Sequence, residues 1–174
     1  QDHQDCIVFR DESFTAVRDK FPKATHHFLV LPNASIDSVT HLMPSHVPLI
    51  HQMVEVGEKI TKPYSSSNFL MGFHSIPSMN HLHLHVISDD FVSPCLKNKK
   101  HYNSFTTKFF VPPEKIIEML QNNGDVSFNK QECERLIKGE MRCNFCGEIL
   151  KNIPTLKTHQ ALCRSKREKE KEKK

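Results

Sequence analysis

The sequence predicts an α+β fold: an antiparallel sheet of about five strands with helices packed on it, followed by a small C-terminal module. Three observations carry this reading. Short runs up to residue 111 are rich in β-branched and aromatic residues, one long run near residue 50 has helical spacing, and cysteines gather with a histidine between residues 143 and 163.

The strands come first. Residues 6–10 (CIVFR), 13–18 (SFTAVR), 27–31 (HFLVL), 68–73 (NFLMGF) and 81–87 (HLHLHVI) are short and bounded by Asp, Pro, Asn or Gly, and 105–111 is a further candidate. A helix interrupts them. From Ser45 as N-cap, Val47, Ile50, Val54, Gly57 and Ile60 keep helical spacing until Pro63 ends the run. A second helix opens at "PPEKIIEML", with Ile116, Ile117 and Leu120 inward and "NNG" as its exit. The expected boundaries are a main domain over 1–112, a helical connector over 113–139, the small module over 140–163 and a charged tail over 164–174. That tail has too few apolar residues to pack, so it is expected to be disordered or a frayed helix.

Composition bounds the function classes. The 174 residues are 37% apolar, enough for one compact core and an appendage. No apolar run is long enough for a membrane span or a signal peptide, so the chain reads as soluble and intracellular, with no membrane partner. The net charge of +4 comes from the tail, whose seven basic and three acidic residues leave seventeen of each sign elsewhere. Cys6, Cys95 and Cys133 are scattered and odd in number, as expected of reduced thiols. Residues 91–111 hold Lys97, Lys99, Lys100 and Lys108 with no acidic residue, a basic loop suited to an anionic substrate or simply to solvent.

In "HLHLHVI", Leu82, Leu84 and Val86 alternate with His81, His83 and His85. On a strand the three imidazoles would share one face, about 6.6 Å apart at about 3.3 Å per residue. His74 lies just upstream. Three explanations compete: structural histidines, a metal site completed by a further ligand, and phosphorus chemistry. In the last, a neutral imidazole attacks phosphorus while its neighbours hold the non-bridging oxygens. Histidine titrates near neutrality and can serve as nucleophile in one position and cationic donor in another.

The C-terminal module stands on its own spacing. Cys143-x2-Cys146-x12-His159-x3-Cys163 is a four-ligand zinc pattern, with Leu150 and Leu156 at the two apolar positions a ββα finger needs to cover its metal. Cys163 replaces the more usual second histidine, and one structural zinc ion is expected. The positions that read bases in tandem fingers fall on Asn152, Thr155 and Thr158, with Lys157 nearby, so one finger with short polar readers would contact the backbone rather than the sequence. Whether it grips DNA or braces the fold stays open.

The run from His81 to Ile87 matches the signature His-φ-His-φ-His-φ-φ of the histidine triad family of nucleotide hydrolases and transferases, and "VRDKFPKATHHFLVLP" resembles that family's nucleotide-binding strands. The stretch "GFHSIPSMNHLHLHVISDDFVSPCLKNKKHYNSF", with the finger behind it, is similar to the branch of the family that processes DNA ends. The resemblance implies a histidine-triad fold and a nuclear DNA-repair hydrolase that removes 5′-linked AMP left by abortive ligation. The products would be AMP and a 5′-phosphate end, formed through a covalent AMP–histidine intermediate, and 3′-guanylate removal is a further implied activity. By position His83 would be the nucleophile, His74 the general acid, His85 and Ser78 the holders of phosphate oxygens, and His81 an orienting residue. Asp19 would bind the ribose hydroxyls, with Phe14 near the nucleotide. Asn33, Ala34, Ser35, Ile36 and Asp37, then Val92, Ser93, Lys97, Lys99 and Lys100, would contact adenylated nicks and ends.

The resemblance implies no catalytic metal, and the finger with a DNA-sized substrate favours a monomer. The sequence before the first strand encodes no forkhead-associated domain and little of the helix that wedges against a terminal base pair, so scaffold partners and end-wedging are not expected. Two other readings remain: a general nucleoside phosphoramidase or dinucleotide hydrolase, and a non-enzymatic nucleic-acid-binding finger protein.

Overall fold

A computed structural model describes residues 6–173. Six strands form one antiparallel sheet: β1 (Ile7–Arg10), β2 (Phe14–Arg18), β3 (His27–Pro32), β4 (Phe69–His74), β5 (Leu84–Ser88) and β6 (Phe110–Val111), in the order β1-β2-β3-β5-β4-β6. The central strands β3 and β5 are wholly or nearly buried, so His85 of β5 is covered on its face as well as the apolar Leu84 and Val86 on theirs. Leu84 and Val86 of β5 join Phe28, Val30 and Phe73 in a core beneath helices α1 (Val47–Thr61) and α3 (Pro113–Asn123). His85 and Ile87 therefore face the other side of the sheet.

Helix α1 lies close on the sheet because Gly57 lacks a side chain. A Cβ there would meet the Met71 sulfur at 3.0 Å and Val86 Cγ2 at 3.1 Å. Gly72 does the same on the opposite face, where a Cβ would come within 2.8 Å of the Phe110 ring. Helix α3 ends as the "NNG" signal predicts, with Gly124 in the left-handed region at φ 78°.

Several elements differ from expectation. The strand expected over 81–87 begins only at Leu84, so His81 and His83 belong to the approach to β5 and not to its ladder. The strand expected over 105–111 shrinks to two residues. The chain before it forms α2 (Lys99–Thr106), started by the Asn98 side chain, which accepts from the His101 amide at 2.9 Å. The lysine-rich loop is thus partly a helix. Ser45 lies within a 3-10 turn, Pro44–His46, that leads into α1. A further helix, α4 (Lys130–Lys138), is capped by Asn129. The wedge-helix expectation concerns the chain before β1, of which residues 1–5 lie outside the described residues.

The C-terminal module is the expected ββα unit: β7 (Met141–Arg142), β8 (Ile149–Leu150) and α5 (Ile153–Lys171). Helix α5 runs on through the Lys/Glu tail, which is helical where disorder or fraying was expected. Opposite charges three and four residues apart support this exposed last part of the helix, which buries no apolar side chain. The module is not a loose appendage. Met141, Leu150, Ile153 and Leu156 share a second core with Ile87, Phe91, Leu96, Tyr102 and Phe105 on the face of the sheet opposite α1.

Candidate active site and zinc site

Four imidazoles meet on that second face. His85 sits at the centre, with ring centroids 4.3 Å from His74 at the end of β4, 4.9 Å from His83 and 5.2 Å from His27 in β3. Phe105 of α2 packs on three of them, 4.7 Å from His74, 5.1 Å from His85 and 5.3 Å from His27. His27 and Phe105 were not among the expected site residues. The available signal was weak: His27 alternates with Phe28 at the start of a strand, and nothing local pairs it with a residue 58 positions away.

The hydrogen bonds fix which nitrogen carries each proton. His83 Nδ1 lies 2.7 Å from the His81 carbonyl, which can only accept, so Nδ1 is protonated and Nε2 keeps its lone pair. His81 itself reaches back through Nε2 to the Pro32 carbonyl at 2.8 Å, holding the approach to β5 against the end of β3. His27 Nδ1 accepts from the Lys23 amide at 3.1 Å, so its Nε2 is the protonated nitrogen and donates to His85 Nδ1 at 2.9 Å. That assignment leaves His85 with an N–H at Nε2. The Nε2 atoms of His74 and His85 are buried and have no protein partner. Buried polar atoms left so are rare enough to point to a ligand.

Burial also sets the charge of the cluster. It pulls His74 down to about 3, helped by the charges of His83 and His27. It pulls His27 down to about 4 against the opposing pull of Asp19. His83 is lowered by burial, partly offset by its bond to the His81 carbonyl and by Asp19, and His85 is pushed well down by burial and then by its histidine neighbours. At neutral pH the free site therefore holds neutral imidazoles, and its open position suits an anion.

Asp19 stands beside this group. Its Oδ2 lies 3.6 Å from His27 Nε2, and Oδ1 accepts from the Phe21 amide at 2.8 Å. Asp19, His27 and His85 also form a possible three-ligand metal group. The 2.9 Å between His27 Nε2 and His85 Nδ1 is a hydrogen-bond distance, whereas two nitrogens on a tetrahedral zinc stand roughly 3.3 Å apart. The geometry places a proton between those two nitrogens.

Other expected residues divide. Ser78 is exposed on the turn before His81. The loop of Asn33, Ala34, Ser35, Ile36 and Asp37 lies against the histidine run, because the Ile36 carbonyl accepts from the Leu82 amide at 2.7 Å. Lys97, Lys99 and Lys100 are exposed at the start of α2, a position that favours anions through the free helix amides. Val92 is exposed beside them. Two expectations are corrected. Phe14 is 3% exposed and packs in the core beneath α1, so it offers no face to a nucleotide. Ser93 is 6% exposed, its hydroxyl donating to the Pro22 carbonyl and its own carbonyl accepting from Lys157 Nζ, so it is a buried bracket and not a surface contact.

In the C-terminal module, ligand atoms of Cys143, Cys146, His159 and Cys163 all lie within 4.8 Å of one another. The surroundings suit zinc. Phe145 N–H points at Cys143 Sγ at 3.4 Å, Gly147 turns the knuckle at φ 81°, and Glu148 lies 3.4 Å from His159 Nδ1, orienting Nε2 inward. The site takes one structural zinc ion. The positions that would read bases are committed internally: Asn152 caps α5 by accepting from Thr155, Thr158 bonds the Pro154 carbonyl, and Lys157 bonds Ser93. A polar hub joins the module to α2. The Tyr102 hydroxyl donates to the Arg142 carbonyl at 2.8 Å and accepts from the Asn144 amide at 2.9 Å, while Gln160 holds Asn144 Oδ1 at 2.8 Å.

The family model described as "Scavenger mRNA decapping enzyme C-term binding" matches residues 1–101, and "C2HE / C2H2 / C2HC zinc-binding finger" matches residues 106–162. Aprataxin of Danio rerio is 46% identical over 155 residues, covering 87% of this chain and 48% of its own length. The chain thus spans about half of that relative. The aprataxin-like protein of Saccharomyces cerevisiae is 30% identical over 92% of this chain and 88% of its own. Among solved structures, the aprataxin ortholog Hnt3 in complex with DNA superposes with a TM-score of 0.70 at 28% identity, over 90% of this chain and 85% of that one. Four imidazoles clustered on one face of the sheet, a zinc-binding module packed on that same face and relatives matched across nearly the whole chain lead to one assignment: this chain belongs to the aprataxin family of histidine triad proteins.

Proposed function

We propose that the chain is a DNA-repair hydrolase that removes AMP from 5′-adenylated DNA ends and nicks. The observation that carries this reading is the protonation pattern: a neutral His83 with its Nε2 lone pair free, beside the unpartnered Nε2 atoms of His74 and His85. In the first step His83 Nε2 attacks the AMP phosphorus. The N–P bond forms, the P–O bond to the DNA 5′-phosphate breaks, and the departing phosphate takes a proton from His74. Water then attacks the same phosphorus and passes a proton to His74, the P–N bond breaks, the electron pair returns to His83 Nε2, and AMP leaves. The Nε2–H of His85 and the Ser78 hydroxyl stabilise the non-bridging oxygens. Asp19 receives the ribose hydroxyls. In this reading the DNA strand lies along the 33–37 loop, Val92 and the lysines at the start of α2; the related ortholog Hnt3 forms a complex with DNA.

The protein acts as a monomer in the nucleus in this reading. The test is gel-resolved release of AMP from a 5′-adenylated nick, beside 3′-guanylated DNA and adenosine 5′-phosphoramidate. Turnover of the adenylated nick with higher kcat/KM than the small substrate supports the proposal. Turnover of the phosphoramidate alone identifies a general nucleoside phosphoramidase instead.

A further inference from the structure

A series of hydrogen bonds runs from the zinc module to the reacting histidines. Lys157 Nζ on α5 donates to the Ser93 carbonyl at 2.9 Å, and the Ser93 hydroxyl donates to the Pro22 carbonyl at 2.5 Å. That carbonyl and the Lys23 amide belong to the same peptide unit. The unit is planar, so fixing its oxygen fixes the direction of its N–H. The N–H donates to His27 Nδ1 at 3.1 Å, and His27 Nε2 is bonded in turn to His85 Nδ1 at 2.9 Å. The series ends at His85 Nε2, which is buried and open to substrate.

We propose that Lys157 is a positioning residue for the reaction at His83, acting through Ser93 and the Pro22–Lys23 peptide to hold His27 and His85 in the tautomers that leave His85 an N–H donor. The inference rests on the proposed phosphorus chemistry. It assigns Lys157 a role different from the DNA-gripping one its place on a finger helix suggests. The segment it steadies needs such support. Phe91 is buried with φ 50°, a conformation a bulky residue adopts only when its surroundings impose it. The same segment is held by Asp90, whose Oδ1 accepts from the Thr25 and Val92 amides at 3.0 and 2.8 Å, and by Arg164, which reaches the Asp90 carbonyl at 3.5 Å. Helix α5 thus braces both ends of the 90–93 segment, and Ser93 carries the series inward to the Pro22–Lys23 peptide.

The test uses the full chain with zinc bound, and adenosine 5′-phosphoramidate and a 5′-adenylated nick as substrates. Lys157→Met should lower kcat on both by about tenfold, the scale of a modest misplacement of reacting groups, with KM little changed. Lys157→Arg should restore most of the loss. Ser93→Ala should lower kcat comparably, and the double variant should be no worse than the worse single one, as expected of two links in one series. Zinc content and Tm of Lys157→Met should match wild type, and Lys166→Met, an exposed charge loss on the same helix, should leave kcat unchanged. A Lys157→Met variant that raises only the KM for DNA, or whose effect multiplies with that of Ser93→Ala, overturns the proposal. Imidazole 15N NMR reads the same series without turnover. Wild type should show His27 and His85 protonated at Nε2, and Lys157→Met should mix the tautomers. An unmixed pattern overturns the relay even if the wild-type chain proves inactive on adenylates, a result that would sink the functional reading instead.

Discussion

His83 donates its Nδ1–H to the carbonyl of His81, two residues back along the same chain, at 2.7 Å. The bond needs no distant partner. It sets the tautomer of the candidate nucleophile from the local backbone, and it explains why His81 has a role although its own ring is turned away to Pro32. His83→Ala should therefore abolish alkali-stable, acid-labile labelling of the protein by AMP from adenylated DNA, while His81→Ala should retain it because only the carbonyl of residue 81 is required. Loss of label in both variants would show that the His81 ring matters beyond its backbone.

His74 is neutral in the free site, held down to about 3 chiefly by burial, yet its proposed task is to give a proton. Binding of a phosphate anion must then raise it, since an opposite charge within about 4–6 Å favours the charged form. Calorimetric titration of AMP in buffers of different ionisation enthalpy should show proton uptake near pH 6.5 in wild type and less in His74→Ala. The same variant should slow turnover of adenylated DNA by about 10²- to 10⁴-fold. Equal uptake in both proteins would move the acid elsewhere.

The buried histidines should also make the fold sensitive to acid. His27 and His74 lie at about 4 and about 3 in the folded chain, against about 6.5 unfolded. Below pH 6.5 the unfolded chain binds more protons, so stability falls as pH drops from about 6.5 toward 4 and is unaffected by these groups above that range. Each contributes a slope of up to about 1.4 kcal/mol per pH unit. Urea unfolding at pH 7, 6 and 5 should follow this trend, and His74→Phe should flatten it.

Lys99 and Lys100 should set the salt dependence of DNA binding. Each phosphate contact contributes a log–log slope of about −0.9 on duplex DNA, so Lys100→Ala should flatten the slope by about that amount. Its kcat on adenosine 5′-phosphoramidate should equal that of wild type. A reduced kcat on the small substrate would place Lys100 in the chemistry.

The Tyr102 hydroxyl bonds both the Arg142 carbonyl and the Asn144 amide. Tyr102→Phe should cost about 0.5–1.5 kcal/mol, because two part-buried backbone groups lose their protein partner. Chemical denaturation at fixed zinc concentration would measure it, and a loss below a few tenths would mean that water replaces the hydroxyl.

Much of the site was legible because its signals are local. The four zinc ligands follow from spacing within 21 residues, and His83 and His85 from one short run. What escaped was long-range. His27 acquires its role from His85, and Phe105 from three rings on other strands. The run FTTKFFV reads as strand from its aromatic and β-branched content, but Asn98 caps a helix that takes up its first residues. Ser93 illustrates the same limit from the other side. The family resemblance implied a DNA contact there, and only the packing of α5 showed that both of its polar groups point inward.

Ser93 and Lys157 stand 64 residues apart in the chain, and Tyr102 and Asn144 stand 42 apart. During synthesis all the clustered histidines emerge well before the helix that braces them. A nascent chain that has reached residue 111 already displays His27, His74, His83 and His85, but lacks Lys157, the Arg142 and Asn144 partners of Tyr102, and half of the second core. Under the proposed mechanism, competence waits for the last element to dock, so a prematurely released polypeptide would carry every proposed reacting group and still lack the framework that aims them.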